Sequence, residues 1–112
     1  KAGFLAYSAS KGAVLQMTRS MAIQLAPHSI RVNSITPTQT GTSRATTPGG
    51  SSAPRAAKPK NIPLGRWGEP ADQAQAVLFL ASPNSSFITG ENINVDGGLL
   101  ALFPSERGPG EV

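Results

Sequence analysis

Between residues 6 and 26, apolar side chains recur at spacings of three and four, as Val14, Met17, Met21 and Leu25, and Leu15, Ala22 and Ala26 widen the stripe. Such periodicity predicts a helix. Its apolar covering is too broad for one packing face, so this helix requires burial on more than one side. Pro27 ends it, because proline disfavours helical geometry in the residue before it. Residues 30–36, IRVNSIT, alternate apolar with polar and are rich in β-branched types, which predicts a strand closed by Pro37.

Over residues 37–63 the pattern dissolves into Thr, Ser, Gly, Pro, Ala and basic side chains. Loops of this length are usually functional or disordered. A second helix is predicted over residues 70–81, with Ala74, Val77, Leu78, Leu80 and Ala81 as its apolar surface. Glu69, Pro70 and Asp72 suit its start through dipole and fixed φ, and Pro83 and Asn84 stop it. Residues 92–95 read as a short strand, Asp96-Gly97-Gly98 as a sharp turn and residues 105–112 as a loose tail.

The order is helix, strand, long loop, helix, strand. A strand, a helical crossover and a second strand predict an α/β unit with parallel strands and a right-handed connection. Two strands alone make a marginal sheet. The expectation is therefore the C-terminal part of a doubly wound parallel sheet, incomplete in this chain. A start at Lys1 rather than Met agrees with that expectation, and 112 residues suit one domain at most.

Composition removes several chemistries. There is no cysteine, hence no disulfide, no thiolate nucleophile and no cysteine-ligated zinc, and the lone His28 excludes a multi-histidine metal site. No metal site is expected. The longest apolar runs, 76–81 and 99–103, are far too short to span a bilayer, and no secretory signal is visible. Nine of the ten basic residues precede Glu69, and all six acids lie from Glu69 onward. Such asymmetry can mark an anionic partner. No aromatic interleaving or nucleic-acid motif accompanies the bases, so nucleic acid is not expected.

Tyr7 and Lys11 stand four apart near the start of the first helix, which puts both on one face. A free tyrosine, with a pKa near 10, is a poor base at neutral pH. A nearby ammonium stabilises the phenolate, one way to let a tyrosine exchange a proton with an alcohol or carbonyl. The spacing alone arises often by chance. Four blocks give it context: YSASKGAV, then IRVNSITP, then IPLGRWGEPADQAQAVLFLAS, then TGENINVDGG. In this order they resemble the active-site helix, following strand, substrate-lid exit with its helix, and last strand of the short-chain dehydrogenase/reductase family.

The resemblance implies a Rossmann-like fold and an NAD- or NADP-dependent interconversion of alcohol and carbonyl. Tyr7 would be the general acid/base. Lys11 would lower its pKa and hydrogen-bond the nicotinamide ribose. The family's P-G-x-[IV]-x-T pattern, which contacts the nicotinamide carboxamide, reads here Pro37-Thr38-Gln39-Thr40-Gly41-Thr42. Tyr7, Lys11, Pro37, Thr40 and Thr42 are the cofactor candidates. Thr38 replaces a glycine and Thr40 an aliphatic residue, and Thr38 is expected to restrict a backbone that glycine adopts freely.

The family's catalytic serine and glycine-rich phosphate loop would precede Lys1. Ser8 and Ser10 are expected to cap or solvate the helix start. Residues 43–61 would form the substrate lid. Family resemblance also implies a small-molecule substrate, a dimer or tetramer, and a cytoplasmic setting. His28 reads as an exposed turn residue, Trp67 as packing or lid, Asp96 as a turn fixture and Asn33 as a partner of the strand. Arg44, Arg55, Lys58, Lys60 and Arg66 read as solvated loop charges or as attractors of an anion. The alternative is a non-catalytic remnant that keeps only packing or association surfaces.

Overall fold

A computed structural model of the chain describes residues 4–38, 40 and 59–102. Helix α1 runs Phe4–Leu25 and gives way at Ala26–His28 to a short 3-10 turn, where Pro27 stops the helix as expected. Strand β1 is Ser34–Pro37, helix α2 is Pro70–Ala81 and strand β2 is Asn92–Val95. The two strands pair as one sheet. Ser34 N–H donates to the Glu91 carbonyl at 2.9 Å and Thr38 N–H to that of Val95 at 3.3 Å. Both partners advance by four residues, so the strands are parallel.

β1 begins four residues later than the alternation of residues 30–36 predicts. The reason lies in hydrogen-bond partners. Val32 N–H donates to the Thr89 hydroxyl at 3.1 Å, and the Val32 carbonyl accepts from Gly90 N–H at 2.7 Å. Asn33 donates to the Ile88 carbonyl at 2.9 Å and accepts from Glu91 N–H at 3.1 Å. Residues 32 and 33 thus pair with a turn rather than a ladder. Pro37 falls inside β1 as its last residue, a position where a missing N–H is tolerated.

Packing divides the chain into two units, Lys1–Ile35 with Val77–Ile93, and Thr36–Ala76 with Asn94–Val112. In the first, α1 buries Thr18 and Ala22, one helical turn apart. The Thr18 hydroxyl donates back to the Val14 carbonyl at 2.8 Å, which satisfies it inside the helix. Gly90, at φ +79°, lets the chain pass close to Ala22, whose Cβ would lie 3.5 Å from an added methyl. Arg31 binds the Ile88 and Ser82 carbonyls, each at 3.2 Å. Most of the broad apolar covering of α1 is bare: Val14, Leu15, Met17 and Met21 are all exposed.

In the second unit the turn after β2 is closed by Asp96. Its carboxylate accepts from Gly98 N–H and Leu100 N–H, both at 2.9 Å, as the turn reading anticipates. Gly97 and Gly98 take φ of +64° and +92°, the left-handed region that glycine enters without strain. A methyl at Gly97 would come within 2.5 Å of Ile62 Cγ2, so Ile62, 5% exposed, packs directly under the turn. Helix α2 starts on a side-chain cap that reaches back from its first turn. The Asp72 carboxylate accepts from Glu69 N–H at 2.7 Å and takes two bonds from Arg66 at 2.7 and 2.8 Å. The Arg66 guanidinium, then the Glu69 N–H, hold the Asp72 carboxyl well below the usual carboxylate range.

Candidate active site

Tyr7 and Lys11 sit in the first two turns of α1, where the i, i+4 spacing sets them on one face. Lys11 Nζ lies 5.5 Å from the centroid of the Tyr7 ring, a cation–π contact. The phenol is 57% exposed and Lys11 is exposed beside it, so both can meet a ligand. The ion pair found among the described residues joins Arg66 to Asp72 and leaves the Lys11 ammonium unclaimed. The neighbouring residues Ala6, Ser8, Ala9, Ser10 and Gly12 are all small and exposed.

Ser8 and Ser10 are exposed near the helix start, as the solvating half of the expectation has it, but they do not cap it. α1 begins at Phe4, so neither is at the cap. Ser10 instead donates its hydroxyl to the Tyr7 carbonyl at 2.7 Å, a back-bond within the helix.

In the second unit, Pro37 ends β1 and Thr40 follows as a half-buried residue that forms a parallel bridge with Gly68. The Thr40 hydroxyl donates to the Thr38 carbonyl at 3.0 Å and accepts from Gln73 Nε2 at 3.4 Å. Gln73 also donates to the Val95 carbonyl at 3.2 Å. Ser29 is the one non-glycine residue at positive φ among the described residues. Thr38 therefore occupies ordinary backbone space, and its replacement of a glycine imposes no left-handed strain here.

Thr42, Arg44, Arg55, Lys58 and the tail at 105–112 lie outside the described residues, as does all of the expected lid except 59–61. His28 is exposed and Trp67 half-buried. Arg66 is not a free attractor of anions, because Asp72 engages it from two sides and raises its pKa further. Gln73 is the residue that the sequence did not reveal: Gln73 and Gln75 look alike as polar helix positions. No group of metal-binding side chains occurs among the described residues, and no described helix is long and apolar enough to cross a membrane.

Comparison with known proteins follows the same outline. A family model described as enoyl-(acyl carrier protein) reductase matches residues 2–100. The 3-oxoacyl-(acyl-carrier-protein) reductase of Thermotoga maritima is 43% identical over 97 residues, covering 84% of this chain and 37% of that protein. The L-xylulose reductase of Bos taurus is 43% identical over 100 residues, covering 85% and 39%. Among solved structures, the 3-ketoacyl-(acyl-carrier-protein) reductase of Brucella melitensis complexed with NADH superimposes with a TM-score of 0.68 at 40% identity, covering 83% of this chain and 36% of that one. The chain thus spans somewhat more than a third of the length of these relatives. With the matched family model, the ordered sequence blocks and the shared parallel fold, this chain belongs to the short-chain dehydrogenase/reductase family and corresponds to its C-terminal portion.

Proposed function

We propose that this chain supplies the proton-transfer pair and the nicotinamide-side segment of an NAD(P)-dependent oxidoreductase that interconverts an alcohol and a carbonyl. The observation that carries the reading is the Lys11 ammonium lying 5.5 Å from the Tyr7 ring on an open helix face. The donor set fits a nicotinamide nucleotide: a phenol for the reacting oxygen, an ammonium for ribose hydroxyls, and a pinned Thr40 at its place in the family's sequence pattern. When bound, the nicotinamide supplies or accepts the hydride.

The protein's own part is the proton. In reduction, Tyr7 Oη donates its proton to the carbonyl oxygen as that oxygen becomes a hydroxyl. In oxidation, the Tyr7 oxygen takes the proton of the alcohol. The Lys11 ammonium, 5.5 Å from the ring centroid, is the charged group that accompanies the phenol through this transfer. Pro37, Thr40 and Thr42 hold the carboxamide end, with Thr40 kept in place by Gly68 and Gln73. Both packing units belong, on this reading, to one dinucleotide-binding domain, with residues 43–61 as the lid over a small-molecule substrate. Assembly as a dimer or tetramer and a cytoplasmic setting are parts of the same proposal.

The test is turnover by the product of the complete reading frame. It should oxidise NADH or NADPH when offered a ketone, whereas residues 1–112 alone should show little or none. A reading frame without a glycine-rich phosphate loop, and a product that binds neither nucleotide, would establish the non-catalytic alternative instead.

A further inference from the structure

We propose that Gln73 is a positioning residue: its amide fixes Thr40, and with it Thr38, in the arrangement from which the nicotinamide end of the cofactor is held. The inference rests on the functional reading above. Asp72, Gln73, Ala76 and Leu80 are the half-buried positions of α2, spaced as one helical stripe. A long polar side chain on an inward stripe is unfavourable unless its groups find partners.

Two of its contacts are dictated by chemistry. The Val95 carbonyl can only accept, and it receives Gln73 Nε2 at 3.2 Å. The Thr40 hydroxyl commits its proton to the Thr38 carbonyl, so toward Gln73 it too can only accept. These acceptors fix which end of the amide faces them. Among the described residues, Gln73 Oε1 is left buried with no partner.

A methionine of similar length would fill the same space without that orphaned oxygen. A polar residue that breaks a local packing rule marks a place where the fold serves another end. Here that end is a clamp: one amide joins the close of β2 to Thr40, whose ladder contact among the described residues is a single bridge to Gly68.

Two variants test this in the product of the complete reading frame. Gln73→Met keeps the length and removes both donors. Gln73→Glu keeps the shape and, as a carboxylate, offers no donor at neutral pH. Amide hydrogen exchange at Thr40, melting temperature, and affinity for NADH, NADPH and ADP-ribose are measured for each. ADP-ribose lacks the nicotinamide ring. In both variants Thr40 exchange should accelerate and dinucleotide affinity should fall about tenfold, the scale of one or two lost hydrogen bonds. Affinity for ADP-ribose should hold, and Gln73→Met should melt no lower than the parent because the orphaned oxygen is gone.

Unchanged dinucleotide affinity in whichever variant folds overturns the inference and leaves the functional reading standing. Parallel loss of ADP-ribose binding overturns it too, since the residue would then be merely structural. A parent that binds neither dinucleotide overturns the functional reading, and the inference falls with it.

Discussion

Along the first turns of α1 the chemically loaded side chains stand in the open, with Tyr7 57% exposed and Lys11 in no ion pair among the described residues. Around the turn after β2 the polar groups are engaged: Asp96 holds two backbone N–H groups, Asp72 holds Arg66 and Glu69, and Gln73 holds Val95 and Thr40. The contrast separates two tasks. Groups that must meet a substrate keep donors in reserve, while groups that set backbone position use theirs up within the fold. Catalytic stabilisation depends on such preorganisation, because a frame that is already paired does not rearrange when charge moves.

Substitutions on the two sides should therefore fail in different currencies. The largest effect belongs to the open face. Lys11→Ala should lower turnover by about a hundredfold, in the range typical of groups that assist proton transfer, and weaken dinucleotide binding while leaving the melting temperature near that of the parent. Steady-state kinetics and a thermal melt on the same preparation check both halves. A lower melting temperature would break the contrast by making Lys11 part of the frame.

Gly97→Ala should act the opposite way. The new methyl meets Ile62 Cγ2 at 2.5 Å, and φ of +64° is left-handed. The expected loss is about 1–3 kcal/mol of stability, read from urea unfolding. Activity per folded molecule should survive.

Smaller still is the contribution of Asp72. Its carboxyl is held below the usual range first by Arg66 and then by Glu69 N–H, so its pairing stabilises the fold above the unfolded carboxylate's pKa and is lost as pH falls. Asp72→Asn should lower the urea midpoint modestly at neutral pH. The gap to the parent should shrink progressively below about pH 4, near the pKa of an unperturbed aspartate. A gap that widened in acid would reverse the sign of the interaction.

How much of this was legible in the sequence depends on how far apart the partners are. α2 and β2 stand at the predicted boundaries, because their start and stop residues, Pro70, Pro83 and Asp96, act locally. Tyr7 and Lys11 were legible for the same reason: one helical turn brings them together. The onset of β1 was not, because Val32 and Asn33 take partners 55 to 58 residues away in the Ile88–Glu91 turn. Gln73 was invisible for a like reason. Its role exists only once α2 has laid it beside Thr40, 33 positions earlier, and Val95, 22 positions later. On α1 the burial on more than one side that the stripe predicts is not met among the described residues, where Val14, Leu15, Met17 and Met21 are exposed.

The most direct trial of the account removes one oxygen atom. In the product of the complete reading frame, Tyr7→Phe leaves the ring and Lys11 in place, and the chain has no second tyrosine to substitute for it. Dinucleotide affinity and carbonyl reduction are then measured side by side. The account predicts near-parental affinity with turnover reduced by about a hundredfold or more. Turnover retained by the phenylalanine variant would mean that the proton travels by another route, and the role assigned to Tyr7 would be wrong.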